Sequence, residues 1–107
     1  MKSLIVSLFA IAALAPAASR MFTGTITDSM CANADHSSMR MGPTAGECTK
    51  ACVEEHDAKF VLYDGKEAYV LSDQRTPEEF AGRKVTVRGT LDAKTKTIQV
   101  DSMAAAK

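Results

Sequence analysis

The sequence has no tryptophan, two tyrosines and four phenylalanines, and it carries no net charge, because 13 basic side chains balance 13 acidic ones. Nucleic-acid binding needs a basic surface and, for single strands, aromatic stacking platforms, so this composition disfavours it. No apolar run reaches the length of about 20 residues that a membrane span requires. With 107 residues, the chain accommodates one small domain, which excludes a multi-domain enzyme, a doubly wound dinucleotide-binding fold and a TIM barrel.

The one marked apolar run lies at the N-terminus and is typical of a secretory signal peptide. Lys2 supplies a positive charge, residues 4–15 are apolar except for Ser7, and Ala15-Pro16-Ala17 resembles a cleavage site. We therefore expect residues 1–19 to be a signal peptide, with cleavage after Ala17, Ala18 or Ser19. The folded domain would then span residues 20–107 and work outside the cytoplasm, as a secreted or periplasmic protein.

Short segments with alternating apolar residues predict an all-β domain. Five such segments are bounded by polar turns: residues 22–26, 59–63, 67–71, 84–88 and 97–100. Asp64-Gly65 is a hairpin signal, because glycine accepts a positive φ at no steric cost. The order of elements favours a small five-stranded Greek-key barrel of the OB type, with a cysteine-bearing loop and a short helix inserted after the first strand. An open meander or an SH3-like barrel is the alternative.

Two helix starts follow from capping residues. Thr44 and Glu47 have the spacing of a capping box, which predicts a helix over residues 45–56. Thr76-Pro77 predicts a second, one-turn helix that is capped by Thr76 and ends at Gly82. We expect the last four residues, 104–107, to fray.

Several stretches resemble a family of small secreted bacterial proteins with an OB-like domain and no established activity. They include residues 24–31 (GTITDSMC), 47–53 (ECTKACV), 59–65 (KFVLYDG), 69–74 (YVLSDQ) and 80–91 (FAGRKVTVRGTL). Members carry a cysteine after the first strand, a histidine a few residues later and a Cys-x-x-x-Cys pair. The resemblance implies export and an OB-like fold, and it marks Cys31, His36, Cys48 and Cys52 as a site.

These four residues form the candidate metal site. Cys48 and Cys52 lie one helical turn apart, and three sulfurs with one nitrogen suit a tetrahedral zinc ion. Further candidate ligands are Met39, Met41 and His56; the thioethers would favour copper, Cu(I) in particular. The layout resembles small periplasmic copper carriers with OB-like barrels, but those have a tryptophan beside the metal, which this chain lacks.

Two other interpretations of the cysteines stay open. An exported domain with three cysteines often has one disulfide and one free thiol, here Cys31 with Cys48 or with Cys52. The second interpretation is a catalytic cysteine activated by a neighbouring histidine. The sequence shows neither a third group that would orient the histidine nor the strained turn that often carries a nucleophile.

The sequence thus favours an exported, monomeric, non-catalytic binding module that holds zinc or copper. The alternative is a secreted or envelope interaction protein with a structural disulfide, whose barrel face binds a peptide, glycan or protein partner.

Overall fold

The computed structural model describes residues 18–107. The predicted signal peptide lies almost wholly outside the described residues. The described chain consists of β1 (Arg20–Asp28), α1 (Ala45–His56), β2 (Phe60–Tyr63), β3 (Ala68–Leu71), a 3₁₀ helix (Thr76–Phe80), β4 (Lys84–Asp92) and β5 (Thr97–Ala105). The prediction of a mostly β domain with one short helix after the first strand is confirmed.

The five strands form one mixed sheet that closes on itself in the order β1-β2-β3-β5-β4. All neighbouring pairs are antiparallel except β3 and β5, which pair in parallel through Val70–Thr97 and Leu71–Ile98. β1 closes the ring because its first part pairs with β4 and its last part with β2. The end of β1 therefore lies beside the start of β2, where the long loop and α1 are attached.

Alternating residues of the strands fill the interior of this sheet, as period-two patterning requires. The main core consists of Phe22, Ile26, Phe60, Leu62, Leu71, Ala81, Val85, Val87 and Ile98. A second, smaller apolar cluster contains Cys48, Cys52 and Ala58, and Met39, Met41 and Val53 pack against it. Val53 contacts both clusters and so joins the α1 region to the sheet.

α1 has the predicted bounds because its capping signals are local. The Thr44 hydroxyl accepts a hydrogen bond from the N–H of Glu47 at 3.1 Å, which satisfies one of the free amides at the helix start. Asp57 ends the helix in the left-handed region, with φ 54°. Gly46 brings α1 against the β3–β4 connection, where an added Cβ would lie 2.5 Å from the carbonyl oxygen of Ala81.

The predicted cap of the second helix is wrong. Arg75 occupies the N-cap position and makes no side-chain cap bond, while Asp73 Oδ1 accepts from the N–H groups of Arg75 and Thr76 at 2.9 and 3.0 Å. Asp73 precedes Thr76 in the chain, and its carboxylate accepts from these amides in place of the Thr76 hydroxyl. The segment is a 3₁₀ helix.

The C-terminal segment is also more ordered than expected. β5 continues to Ala105, which pairs with Val85, and the N–H of Ala106 donates to the carbonyl of Lys84 at 3.0 Å. Fraying is wrong for residues 104–106, because β4 offers them a complete hydrogen-bonding edge.

Among the described residues, no helix has the length and apolar character needed to cross a membrane. The described chain is one small globule, consistent with a monomer.

Candidate functional site

The site begins where β1 ends, at a turn held by a buried aspartate. Asp28 is fully buried, and its Oδ1 accepts from the N–H groups of Met30 and Cys31, both at 3.0 Å. The Thr27 hydroxyl donates to the carbonyl of Cys31 at 2.7 Å. These three bonds fold the chain back over the strand end, as Asx turns do, and fix Cys31 beside Asp28.

Turns in the following loop then bring His36 back to Asp28 and Cys31. The N–H of Ala34 donates to the carbonyl of Cys31 at 2.8 Å, and Ala34 has a φ of 62°. Asn33 and Asp35 each accept from the N–H two residues ahead, at 3.1 and 3.0 Å. The hydrogen bonds from Ser37 hold the pKa of Asp35 below its usual value. The loop thus reverses by consecutive side-chain turns rather than by helix or strand.

Asp28, Cys31 and His36 form the most concentrated group of potential metal ligands in the described chain. One ligand atom from each lies within 4.8 Å of the other two. We refer to these three residues as the Asp28 cluster. Asp28 and Cys31 are 0% and 6% exposed, and His36 is half-buried. Asp28 Oδ2 and His36 Nδ1 are buried without a hydrogen-bond partner.

α1 contributes two more thiols next to this cluster. Cys48 and Cys52 are 1% and 0% exposed and lie on the face of α1 that turns inward. The Cys48 thiol donates to the carbonyl of Met39 at 3.1 Å and accepts from the N–H of Met41 at 3.3 Å. Cys48 therefore already has both a hydrogen-bond acceptor and a donor from the loop.

The electrostatics of Cys31 and Cys52 are coupled to Asp28. Burial raises the pKa of Cys31, and the nearby charges of Asp28, Cys48 and Asp35 raise it further. Burial raises the pKa of Cys52 to about 12, with added contributions from Asp28, Cys48 and Cys31. The thiols of Cys31 and Cys52 therefore resist ionisation beside the buried carboxylate of Asp28.

A cavity of about 250 Å³ opens beside the cluster. His36 and Cys48 belong to its wall, and Asp35, Arg40, Pro43 and Ala45 are among the other residues that line it. Since Cys48 is almost completely buried, it lies at the floor of this cavity. The opening connects two of the predicted ligands to solvent.

The structure places the sequence-predicted ligands in three locations: in the Asp28 cluster, around Cys48 and Cys52, and at the exposed end of α1. Cys31 and His36 lie together with Asp28, while Cys48 and Cys52 lie nearby but outside the 4.8 Å group. Met39 and Met41 pack against the cluster of Cys48, Cys52 and Ala58. His56 is exposed at the end of α1. All three cysteines are free thiols, so neither disulfide pairing is seen.

Sequence reasoning missed Asp28. A signal was present, because an aspartate that ends a strand three residues before a cysteine is suited to cap the following turn. The carboxylate could be recognised as a turn-forming residue, but its complete burial depends on how the loop folds back.

The donor set of the cluster is one oxygen, one nitrogen and one sulfur. Carboxylate, imidazole and thiolate are all zinc ligands, and three protein ligands with one further position form a tetrahedral site. The raised pKa values of Cys31 and Cys52 oppose thiolate formation at neutral pH, which makes these thiols poor nucleophiles in the absence of a cation.

Comparison with known proteins gives one family. No curated protein and no solved structure matches the chain. The family model described as "Protein of unknown function (DUF5818)" matches residues 52–106. The match runs from Cys52 through β2, β3, β4 and β5, so the Asp28 cluster lies outside the matched residues. The chain belongs to the DUF5818 family.

Proposed function

We propose that this protein is an exported, non-catalytic module that binds a transition metal, and that the metal is zinc. The ion is held by Asp28, Cys31 and His36, and a thiol of α1 completes the coordination. The observation that carries the proposal is the Asp28 cluster itself, in which three different donors lie within 4.8 Å.

The unpartnered atoms of the cluster support this assignment. Buried polar groups are nearly always hydrogen-bonded, and leaving one without a partner costs about 1–3 kcal/mol. Two unpartnered atoms, Asp28 Oδ2 and His36 Nδ1, belong to the same three-residue group. A cation between them would satisfy both at once and would neutralise the buried carboxylate.

The donor types favour zinc over copper. Cu(I) prefers thiolates and thioethers, whereas a carboxylate with an imidazole and a thiolate suits Zn²⁺. The thioethers of Met39 and Met41 are in the smaller apolar cluster, where they fill space around Cys48 and Cys52. We therefore assign them to packing and the Asp28 cluster to the metal.

Cys48 is the better candidate for the fourth ligand. It lines the same cavity as His36, and its present partners are two backbone groups of the neighbouring loop. A thiolate is stabilised by direct coordination, so metal binding would draw Cys48 away from Met39 and Met41. Cys52 would remain buried behind it.

The scaffold that we propose is an OB-type barrel. The closed strand order, the parallel β3–β5 pair and the 3₁₀ helix between β3 and β4 support this topology. We also propose a bacterial, periplasmic or secreted protein, on the basis of the signal sequence. Mass spectrometry of the mature chain tests export, and an N-terminus at residue 18, 19 or 20 is the expected result.

Titration of the mature protein with Zn²⁺ and Co²⁺ tests the metal site. We expect one ion per chain, and thiolate-to-cobalt charge-transfer absorption for the Co²⁺ form. His36→Gln removes a direct ligand and should weaken binding by at least about 10–100-fold, the loss that is typical when a hydrogen-bonding partner of a ligand is removed. His56→Gln is the matched control, because His56 is exposed on α1, and it should bind as the wild type does.

The competing function gives a different pattern. If the protein is an interaction module with a structural disulfide, His36→Gln leaves stability unchanged and Cys31→Ser lowers it strongly. Absence of metal binding, together with two oxidised cysteines, would refute the proposal and support that alternative.

A further inference from the structure

We propose that Cys48 is an exchangeable ligand and that the cavity above it is the port through which an exogenous thiolate takes over the metal. This inference rests on the proposed function, since it describes how the same site releases its ion. It makes the protein a donor of zinc to thiol-bearing acceptors.

Cys48 lines the cavity, whereas the other proposed cysteine ligand, Cys31, does not. The cavity of about 250 Å³ has His36 and Cys48 in its wall, whereas Asp28 and Cys31 are not among its lining residues and are buried. An incoming ligand therefore meets the α1 side of the metal first. The volume admits a single side chain or a small thiol, but it does not admit a folded chain.

The loop already provides hydrogen-bond partners for Cys48 when it is released from the metal. Its thiol donates to the carbonyl of Met39 at 3.1 Å, and its sulfur accepts from the N–H of Met41 at 3.3 Å. These bonds need the protonated thiol, because only S–H can donate to the Met39 carbonyl. The loop thus stabilises Cys48 when it is off the metal.

The exchange step balances without an oxidant. The incoming thiol forms a sulfur–metal bond as its thiolate, the bond between Cys48 and the metal breaks, and the proton of the incoming thiol passes to Cys48. The Cys48 S–H then bonds to Met39. The oxidation states of zinc and sulfur are unchanged, and the other three ligands hold the ion during this first exchange. Further donors of the acceptor then displace Asp28, His36 and Cys31, and a second acceptor thiol passes its proton to Cys31 as the ion leaves.

The side chains at the opening of the cavity carry both signs of charge, so the opening does not strongly favour an acceptor of one charge. Arg40 and Asp35 both line the cavity, and the carboxylate of Asp35 accepts from the N–H of Ser37. Recognition therefore depends on the thiolate donor rather than on the charge of its carrier. A free thiol and a cysteine on an acceptor polypeptide present the same chemistry.

The test follows by stopped flow the change of the Co²⁺ charge-transfer and d–d absorption from the spectrum of the loaded mature protein to that of the acceptor complex, with free cysteine or an apo zinc-finger peptide as acceptor. We expect a rate that rises with acceptor concentration. Ala45→Phe fills the cavity and should slow transfer about tenfold, while Ala93→Phe, in the exposed β4–β5 turn, should leave it unchanged. Transfer to the peptide at a comparable rate assigns protein cysteines as the source of the incoming thiolate. Transfer to free cysteine alone assigns small thiols as that source.

Two results would overturn the exchange mechanism while leaving the metal site intact. One is a rate independent of acceptor concentration, and the other is equal transfer by Ala45→Phe and Ala93→Phe. Cys48→Ala adds a second check, because it should still bind Co²⁺ through Asp28, Cys31 and His36 and exchange it faster. Loss of all binding in Cys48→Ala would make Cys48 a permanent ligand. Failure of the wild type to bind metal refutes the proposed function itself.

Discussion

At the scale of single residues, Asp28 combines an observed structural role with the proposed metal-binding role. One carboxylate oxygen holds the turn after β1 through two backbone N–H groups, while the other is buried without a partner. The charge is therefore anchored in a place where water cannot solvate it. Such an arrangement is unfavourable for the metal-free protein and favourable once a cation binds.

Asp28→Asn should separate these two roles. The amide oxygen can still accept from Met30 and Cys31, so we expect the metal-free protein to keep or gain stability in urea unfolding. Zinc affinity, measured by calorimetry, should fall about tenfold or more because a charged ligand is lost. Asp101→Asn is the control, since Asp101 is an exposed carboxylate on β5, outside the loop and α1. Equal effects of the two substitutions on affinity would contradict the role of Asp28.

Cys52 should make the metal-free protein sensitive to alkaline pH. Its pKa rises from an ordinary 9.0 to about 12 on folding, so the folded state holds its proton where the unfolded state has lost it. The stabilising effect is complete below about pH 9 and disappears as pH rises toward 12. The free energy of unfolding should fall with a slope approaching about 1.4 kcal/mol per pH unit. The slope should be smaller in Cys52→Ala, and an unchanged slope would show that other groups dominate.

The sequence predicts Cys31 and His36 as site residues because their chemistry is visible in their side chains, and the structure places the two close together. Asp28 could not be recognised in the same way, since surface carboxylates are common and only the reversal of the loop buries this one. The sequence offers Met39 and Met41 as possible further ligands because they lie within six residues of His36. Their packing around Cys48 and Cys52 depends on the position of α1, which the sequence does not specify.

At the scale of elements, α1 and the 3₁₀ helix show when capping signals succeed. Thr44 caps α1 as predicted, because no competing acceptor lies immediately upstream. In the second helix, Asp73 bonds to the amides of Arg75 and Thr76, so the Thr76-Pro77 signal identified the element but not its cap. Local pattern is sufficient for the presence of a helix, whereas competition between neighbouring side chains determines its terminus.

Asp73→Ala and Thr44→Ala should both lower stability by about 1 kcal/mol near neutral pH, through the loss of helix-start hydrogen bonds. The two should differ in acid. Hydrogen bonds from Thr76 and Arg75 hold the pKa of Asp73 below its ordinary 3.8, so its contribution is present above 3.8 and disappears as pH falls through the lowered value. Urea unfolding should therefore show the Asp73→Ala deficit closing in acid while the Thr44→Ala deficit persists. If both variants stay equally destabilised in acid, the ionised carboxylate of Asp73 is not the source of its stabilising effect.

At the scale of the whole molecule, closure of the sheet depends on contacts that are distant in sequence. The strand segments and the helix could be predicted from alternation and turn residues. The register of the β3–β5 pair could not, because the pairing is parallel, involves two residue pairs and joins elements on either side of β4. The length of β5 was also missed, since its last residues are small alanines whose strand conformation comes from pairing with β4.

Removal of residues 102–107 tests the contribution of the end of β5. The deletion eliminates the pairing of this segment with Val85, Thr86, Val87 and Arg88, and we expect a loss of about 2–4 kcal/mol from the missing backbone hydrogen bonds. Deletion of Lys107 alone is the control and should be neutral, because this residue is exposed beyond the strand. Wild-type stability of the longer deletion would mean that the tail frays.

Metal analysis of the mature protein, purified from the compartment to which it is exported and combined with thiol titration, tests the central claim most directly. The Asp28 cluster predicts one zinc ion per chain and three cysteines that all react as free thiols after the metal is chelated. A metal-free protein with two oxidised cysteines and one reactive thiol would contradict it.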